Sequence, residues 1–387
     1  MPRAVQPLPR SAEVIIVGGG VIGTSAAFHL AEAGVGVLLL ERAQLGSGST
    51  SRAAGGVRTQ FSDVLNIEIA RRSLAAFRDF VRRPGWEIDL KQVGYLFVLN
   101  RESDVEAFER SVALQRKHGL DSRMLTADEA RELCPLLEGD DILAASFSPG
   151  DGHATPEAVV QGYAFAARAH GADIRVGCEV RAIKLSNREI VAVVSDRGEV
   201  ATNTVICAAG AWSRRCAAMV GVDLPVTPLR RQVLFTEAIE ALPERMPMTI
   251  DFESSFYFHR EGPGLLMGMS SPNEKPGFNL ERSDDWVPKL MAVVRRRAPR
   301  LAEVGIQGGW AGLYEMTPDH NAVIGEAADV RRFLYATGFS GHGFLQAPAV
   351  GEILRDITLR RPPFVDIAPL SAERFDAAAL RPEYNVV

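Results

Sequence analysis

The stretch of sequence that decides the fold covers residues 13–41 and reads EVIIVGGGVIGTSAAFHLAEAGVGVLLLE. It begins with a short β-branched run, passes through the glycine-rich residues 18–23, and continues as an alanine-rich helical pattern to Ala33. Gly34 stands where a left-handed helix cap suits glycine, and residues 35–40 form a second apolar run. This order of strand, glycine turn, helix and strand predicts an α/β fold with a parallel sheet.

The spacing of three glycines in this stretch is that of a dinucleotide-binding turn. Gly18 suits a tight turn, Gly20 lets a pyrophosphate approach the backbone, and Gly23 lets the helix pack closely on the strand. The N–H groups and dipole of the following helix favour an anion at this point. Glu41, at the end of the second strand, suits hydrogen bonds from a ribose diol and disfavours the 2′-phosphate of NADP. We therefore expect an adenine-dinucleotide site; a glycine turn without a ligand is the alternative.

A second glycine- and serine-rich segment, ERAQLGSGSTSRAAGG, follows directly at residues 41–56. Such a composition also occurs in surface linkers. Here, however, the segment lies between a predicted buried strand and a helical pattern that starts near Asp63, so its hydroxyl and amide donors suit a second pass along a cofactor. The segment resembles the second FAD-contacting segment of the D-amino-acid oxidase superfamily, which includes sarcosine oxidase, glycine oxidase and dimethylglycine dehydrogenase.

Three later segments extend the resemblance along almost the whole chain. They read TVICAAGAWS at residues 204–213, GWAGLYEMTPD at 309–319 and FLYATGFSGHGF at 333–344. The last precedes an alanine-rich helix, whose N-terminus the resemblance implies to face the flavin ring. Within the superfamily, the chain is most similar to sarcosine oxidase and to the β subunits of bacterial sarcosine oxidase and L-proline dehydrogenase. The motifs and the resemblance together give the expected FAD contacts, which are Gly18, Gly20, Val21, Ile22, Gly23, Glu41, Arg42, Ser49, Thr50, Ser51, Arg52, Gly55, Gly56, Val180, Ala209, Gly210, Trp212, Gly312, Gly338, Gly341, His342, Gly343, Phe344 and Leu345.

The predicted fold is a Rossmann-like FAD-binding domain with an inserted, mainly antiparallel-sheet substrate domain, as in two-domain flavoproteins of the glutathione-reductase type. We expect residues 1–90, 150–225 and 322–387 to form the FAD-binding domain. Residues 91–149 and 226–321 are expected to form the substrate domain.

Flavin amine oxidation moves a hydride from carbon to the flavin and leaves an imine that water hydrolyses, so the protein has to hold a carboxylate and present a neutral amine. An arginine fork suits the carboxylate, and Arg58 is the first candidate and Arg231 the second, although an ion pair would explain Arg231 equally well. A histidine could take the ammonium proton, which makes His259 and His342 candidates. The remaining expected pocket residues are Tyr257, Tyr314 and Glu315.

The chain departs from its sarcosine-oxidase-like relatives at four positions. The cysteine that tethers flavin in monomeric sarcosine oxidase aligns with Gly312 of this chain. Relatives in the dimethylglycine dehydrogenase group attach flavin through a histidine near the second FAD-contacting segment, where this chain has Arg52. We therefore expect dissociable, non-covalent FAD. Monomeric sarcosine oxidase has two lysines that assist oxygen reduction and bind the substrate carboxylate, and this chain has Leu266 and Leu345 at the matching positions. Oxygen reactivity and the way the carboxylate is bound are therefore both open.

Several reactions and roles remain open from the sequence. The favoured one is oxidation of a C–N bond in an N-alkyl or cyclic amino acid, with O2 or another acceptor taking the electrons. A 2-hydroxy-acid or glycerol-3-phosphate dehydrogenase of the same superfamily is an alternative, and a non-catalytic FAD-containing complex subunit is a second. Partner subunits are therefore also open.

Composition limits the partners and the compartment. The 387 residues are 47% hydrophobic and 24% charged, which is typical of a globular protein. The formal net charge is −5, so the protein as a whole has no positive electrostatic field that would attract nucleic acid. The cysteines lack metal or redox spacing, and no apolar run is long enough to span a membrane. We therefore expect no metal, buried reduced thiols and a cytoplasmic location. Basic runs such as residues 295–297 are expected on solvated helix faces.

Overall fold

The computed structural model describes residues 7–376 and 380–385. The helices in this part of the chain are α1 Val21–Glu32, α2 Val64–Arg78, α3 Glu102–Lys117, α4 Ala127–Leu133, α5 Pro156–Ala169, α6 Ser213–Ala218, α7 Val287–Arg297 and α8 Gly343–Thr358. The strands are β1 Val14–Val17, β2 Val37–Leu40, β3 Gly56–Val57, β4 Tyr95–Leu99, β5 Arg123–Leu125, β6 Ala144–Ser148, β7 Gly152–His153, β8 Asp173–Arg175, β9 Val180–Ser186, β10 Glu189–Ser195, β11 Gly198–Ala201, β12 Val205–Cys207, β13 Thr227–Thr236, β14 Met248–Asp251, β15 Phe256–Glu261, β16 Gly264–Gly268, β17 Ile306–Met316, β18 Val323–Glu326 and β19 Phe333–Thr337. None of the helices in these residues combines the length and apolar character that crossing a membrane requires.

A six-stranded sheet in the order β18-β19-β12-β1-β2-β8 forms the first layer. All its pairs are parallel except that of the edge strand β18 with β19. Helices α1, α5 and α8 pack together on one face, and the apolar residues of β9–β11 join the cluster on the other. Because both faces are covered, β1 and β2 are continuous apolar runs rather than alternating ones.

An eight-stranded sheet in the order β17-β13-β16-β15-β14-β4-β6-β5 forms the second large sheet. Its pairs are antiparallel apart from the parallel pair β14–β4. The long pair β13–β17 places Arg231 opposite Gly312, and both residues line the cavity of the candidate site. The predicted fold class, a parallel sheet with an added antiparallel sheet, is confirmed.

The two sheets use separate parts of the sequence. All six strands of the first lie within residues 1–90, 150–225 and 322–387, and all eight strands of the second lie within residues 91–149 and 226–321. We propose these ranges as the two domains.

The expectation for the basic run of α7 is wrong at one residue. Arg295 is exposed, but Arg297 is fully buried, with Nε 2.5 Å from Asp251 Oδ1 and Nη1 2.6 Å from Asp141 Oδ1. Hydrogen bonds from Arg297 lower the pKa of Asp141 to about 2. An amphipathic pattern shows which residues share a helix face, but it does not show that two carboxylates wait on the inner one.

We expect Arg297→Met to destabilise the protein strongly. The change leaves the buried Asp251 carboxylate with only the more distant Arg296 as a counter-charge, and breaking a buried pair costs about 3 kcal/mol or more. Chemical denaturation of the apoprotein measures the loss, and Arg295→Met is the matched control. Equal stabilities of the two variants would contradict this role for Arg297.

Candidate active site

A cavity of about 420 Å³ lies beyond the carboxyl ends of β1, β2 and β12 and reaches β13, β17 and the start of α8. Segments that are far apart in sequence meet on its wall. The expected cofactor contacts that line it are Gly18, Gly20, Val21, Ile22, Glu41, Arg42, Ser49, Thr50, Arg52, Val180, Ala209, Gly210, Trp212, Gly312, Gly341, Gly343 and Phe344. The cavity therefore joins the first glycine turn to the last.

The first glycine turn has the geometry that its spacing predicts. Gly18 has φ +113°, and a Cβ there would lie 2.3 Å from Ala208 O. A Cβ on Gly23 would lie 1.9 Å from Gly18 O, so Gly23 serves packing and does not line the cavity. Gly20, in contrast, lines the cavity, and a Cβ there would meet only Thr50 Oγ1, at 3.3 Å. Gly20 thus keeps open the approach to the N-terminus of α1.

Glu41 is fixed beside this turn by two backbone donors. Gly19 N donates to Oε2 at 2.7 Å and Ala43 N donates to Oε1 at 2.8 Å. Each carboxylate oxygen has a further lone pair, and Glu41 lines the cavity. The side chain is therefore held in place to accept hydrogen bonds from a diol.

The serine-rich segment is hydrogen-bonded to strand β17 and to the start of α1 beside the cavity. Ser49 Oγ donates to Leu313 O at 2.6 Å, Arg52 Nη1 donates to Ala311 O at 2.6 Å, and Thr50 Oγ1 accepts from Val21 N at 3.2 Å. Ser51, Gly55 and Gly56 do not line the cavity. Gly55 has φ +73° and packs against Ala154 O, and Gly56 pairs with β7, so these glycines serve the backbone path.

The last glycine turn brings a second helix N-terminus to the cavity. Gly343 and Phe344 open α8 and line the wall, and no side chain caps the helix. Gly338 packs against Thr317, and Leu345 is buried in an apolar cluster, so neither lines the cavity. Two helix N-termini, those of α1 and α8, thus offer N–H groups and positive dipole ends to one ligand.

Three of the expected substrate residues lie on the cavity wall beside α8. Arg231 Nη1 donates to Arg230 O at 3.1 Å, its Nε has no hydrogen-bond partner, and its guanidinium lies 5.2 Å from the centre of the Tyr314 ring. Glu315 Oε2 accepts from Thr337 Oγ1 at 3.0 Å, and burial raises the pKa of Glu315 to about 7. A cationic donor, a phenol and a carboxyl group that titrates near neutrality therefore share one wall.

Arg58 and His342 lie behind this wall rather than on it. Arg58 is 3% exposed, and its guanidinium lies 4.4 Å from the centre of the Phe61 ring. Its Nη2 donates to Asn385 O and to His342 Nε2, the latter at 2.9 Å. A guanidinium only donates, so His342 Nε2 is an acceptor and the imidazole is neutral. His342 therefore orients Arg58, and its Nε2 is not free to take a substrate proton.

Tyr257 and His259 are also absent from the cavity wall. His259 Nε2 lies 3.0 Å from Ala54 O and Nδ1 lies 2.9 Å from Arg260 O, so both ring nitrogens face backbone carbonyls. Tyr257 packs on Gly268, and burial raises the pKa of its phenol. Neither side chain lines the cavity, so neither is placed to contact a substrate bound there.

The cavity is also lined by residues that had no predicted role, among them Arg215 and Leu280. Arg215 lies in α6, three residues after Trp212, and that proximity was a usable signal. Leu280 lies in an irregular segment between β16 and α7 and offered no pattern. All four cysteines are free and buried, as expected.

The wall residues fit FAD. The open approach at Gly20, the fixed carboxylate at Glu41 and the N-termini of α1 and α8 supply the donors and acceptors that a dinucleotide needs. Bound FAD would be held by α1 and Glu41 at its adenosine and pyrophosphate end and would lie near α8 at its flavin end.

Comparisons with known proteins agree with this geometry. The model of the DAO family, FAD dependent oxidoreductase, matches residues 13–357. The chain belongs to this family and is an FAD-dependent oxidoreductase.

Three proteins illustrate the similarity. The mitochondrial dimethylglycine dehydrogenase of Mus musculus is 31% identical over 94% of this chain and 44% of its own length. The mitochondrial sarcosine dehydrogenase of Mus musculus is 30% identical over 96% of this chain and 42% of its own length. The crystal structure of L-proline dehydrogenase from P. horikoshii is 32% identical with a TM-score of 0.91, and the match covers 97% of this chain and 100% of that one. The chain thus spans less than half the length of the two curated relatives.

Proposed function

We propose that this protein oxidises the C–N bond of a small amino acid whose nitrogen is N-alkylated or part of a ring. Bound FAD supplies the hydride-accepting chemistry, and water hydrolyses the imine product. The three relatives described above carry dimethylglycine, sarcosine and L-proline in their names. All three compounds are secondary or tertiary amines with a carboxylate, and this shared chemistry supports the proposal.

The observation that carries the proposal is the state of Arg231. It lines the cavity, its Nε is buried without a hydrogen-bond partner, and it forms no ion pair within the described residues. An arginine left without an acid is suited to a carboxylate that arrives with the substrate. Arg231 therefore binds the substrate carboxylate in this proposal, and Arg58 supports the pocket from behind.

Glu315 is the group we assign to the substrate nitrogen. Only the neutral amine gives up a hydride readily, so an ammonium substrate first has to lose a proton. The Glu315 carboxyl has a pKa of about 7 because of burial, and Thr337 Oγ1 and Phe339 N orient it. Its carboxylate form accepts the ammonium proton, while the Tyr314 ring forms the adjoining wall.

Anaerobic reduction of the holoenzyme tests the function. Sarcosine, dimethylglycine and L-proline should each be tried against glycine, a D-amino acid, a 2-hydroxy acid and glycerol 3-phosphate. Loss of the oxidised flavin absorbance with an amino acid whose nitrogen is a secondary or tertiary amine supports the proposal. Reduction only by a hydroxy acid or by glycerol 3-phosphate would overturn it, and no reduction by any compound would favour a complex subunit.

We expect FAD to dissociate on acid denaturation. Gly312 and Arg52 offer neither thiol nor imidazole to the flavin, and a Cβ at Gly312 would lie 2.8 Å from Arg52 Cβ. After acid precipitation and centrifugation, the yellow colour should therefore stay in the supernatant. Colour that remains in the washed pellet would show a covalent link.

The activity should depend on pH through Glu315. Because the carboxylate form accepts the proton, kcat/KM should rise as the pH increases through about 7 and should be low below it. In Glu315→Gln this rise should disappear, and the rate should instead follow ionisation of the free amine at higher pH. A profile that is unchanged in the variant would exclude Glu315 as the proton acceptor.

The identity of the electron acceptor, O2 or another compound, stays a proposal, as do partner subunits and a cytoplasmic location. Four free cysteines support a reducing compartment. Repeating the productive reaction in air while measuring peroxide distinguishes an oxidase from a dehydrogenase.

A further inference from the structure

An irregular segment at residues 270–285, which we call the latch segment, joins β16 to α7 and extends to the cavity. Strand β13 anchors it at several points. Gly277 N donates to Pro228 O at 2.9 Å and Ser283 N donates to Gln232 Oε1 at 2.8 Å. Leu280, between these anchors, lines the cavity. The segment is therefore held against the cavity rather than looping freely into solvent.

An ion pair adds to this anchoring next to the proposed carboxylate site. Arg230 Nη2 lies 3.1 Å from Glu274 Oε2, with both side chains only 13% exposed, and Arg230 Nη1 donates to Glu281 O at 2.6 Å. Such partly buried pairs are screened by solvent less than surface pairs are. Arg230 therefore binds two points of the latch segment to the strand that also carries Arg231.

Phe278 connects the latch segment to other residues of the cavity wall. Its ring stacks on Trp212 with centroids 5.5 Å apart and planes at 26°, and the Arg215 guanidinium lies 4.0 Å from the centroid of the Phe278 ring. Arg42 lies 3.9 Å over the Trp212 ring. Arg42, Trp212 and Arg215 all line the cavity, and Arg42 directly follows Glu41. Phe278 of the latch segment thus forms a cluster with Arg42, Trp212 and Arg215. This cluster joins the latch segment to the part of the cavity near Glu41, where the adenosine of FAD is expected.

We propose that the latch segment closes over bound FAD and retains it. Phe278 and the Arg230–Glu274 ion pair are its fastenings, and Leu280 is the part that faces the cofactor. Release of FAD requires the Phe278 stack to separate and the segment to lift from β13. This device holds a cofactor that has no covalent tether, and it does not depend on which substrate the enzyme oxidises.

The rate of FAD release from the holoenzyme tests the latch. Phe278→Ala removes aromatic and cation–π contacts and should speed release by roughly tenfold. Glu274→Gln removes the ion pair and should speed release by roughly threefold. Recovery of free-FAD fluorescence after dilution measures the rate. Phe364→Ala is the matched control, because Phe364 also lies under an arginine, Arg72, but does not line the cavity, and its release rate should equal that of the unmodified protein. Unchanged release in both latch variants would overturn the proposal.

A measurement on the unmodified chain covers the case in which Phe278→Ala does not fold. Tryptic cleavage after Arg282, which lies in the latch segment, should be slower in the holoenzyme than in the apoprotein. Equal cleavage rates with and without FAD would contradict a segment that closes over the cofactor. Both readouts are independent of catalytic activity, so they hold even if the proposed substrate class is wrong.

Discussion

Gly20→Asp should give a folded protein that no longer holds FAD. Gly20 is the N-cap of α1 with extended backbone, φ −76° and ψ −175°, and a Cβ there meets only Thr50 Oγ1. Aspartate is a favoured N-cap residue, so the helix itself gains rather than loses. Its charge would, however, occupy the place proposed for the pyrophosphate, and like charges in contact cost several kcal/mol, so affinity should fall roughly 100-fold or more.

Titration of the apoprotein with FAD, followed by quenching of flavin fluorescence, measures this loss. Circular dichroism and thermal unfolding of the apoprotein check the fold. Gly20→Ala adds a Cβ without a charge and should lose far less affinity. If Gly20→Asp bound FAD as tightly as the unmodified chain, α1 would not be the anion-binding helix.

Arg231→Met should weaken the reaction with amino acids that carry a carboxylate. Hydrogen bonds to a charged group contribute about 1.5–3 kcal/mol, so kcat/KM should fall roughly 10- to 100-fold, mainly through KM. The matched control is an amine substrate without a carboxylate, whose kcat/KM should be the same in both proteins. Arg231→Lys should recover part of the loss, since it restores the charge without the fork.

Equal losses for substrates with and without a carboxylate would show that Arg231 acts on the fold or on FAD and not on the substrate. A large loss in Arg58→Met that also depends on the carboxylate would return the clamp to Arg58. The structure favours Arg231, because the Arg58 guanidinium is already engaged by His342 and Asn385.

The parts of the fold that could be predicted are those set by steric or hydrogen-bond requirements between residues close together in the sequence. The turn at Gly18 and Gly23 requires glycine for steric reasons that are visible in the spacing, and the capping box at Thr126 and Glu129 marks the start of α4 in the same way. The position of Glu41 on the cavity wall follows from its place directly after β2. In each case the residues that make the contact lie close together in sequence or at a fixed spacing.

Contacts between distant segments could not be predicted in this way. The burial of Arg297 depends on two aspartates far away in sequence, Asp141 and Asp251. His259 was a candidate base by its residue type, but in the structure its two ring nitrogens face Ala54 O and Arg260 O. Arg58 ranked before Arg231 as the predicted carboxylate ligand, whereas Arg231, which lies opposite Gly312 in the β13–β17 pair, is the one of the two that lines the cavity. Phe278 lies in a segment without periodicity, so its partner Trp212 is visible only in three dimensions.

The most direct test of the proposed C–N oxidation is one anaerobic turnover of the holoenzyme with an excess of each amino acid. Sarcosine, dimethylglycine or L-proline should bleach the flavin completely and release one equivalent of the hydrolysed imine per FAD. If none of the three reduces a flavin that dithionite does reduce, the account of this site as an amine-oxidising centre is contradicted.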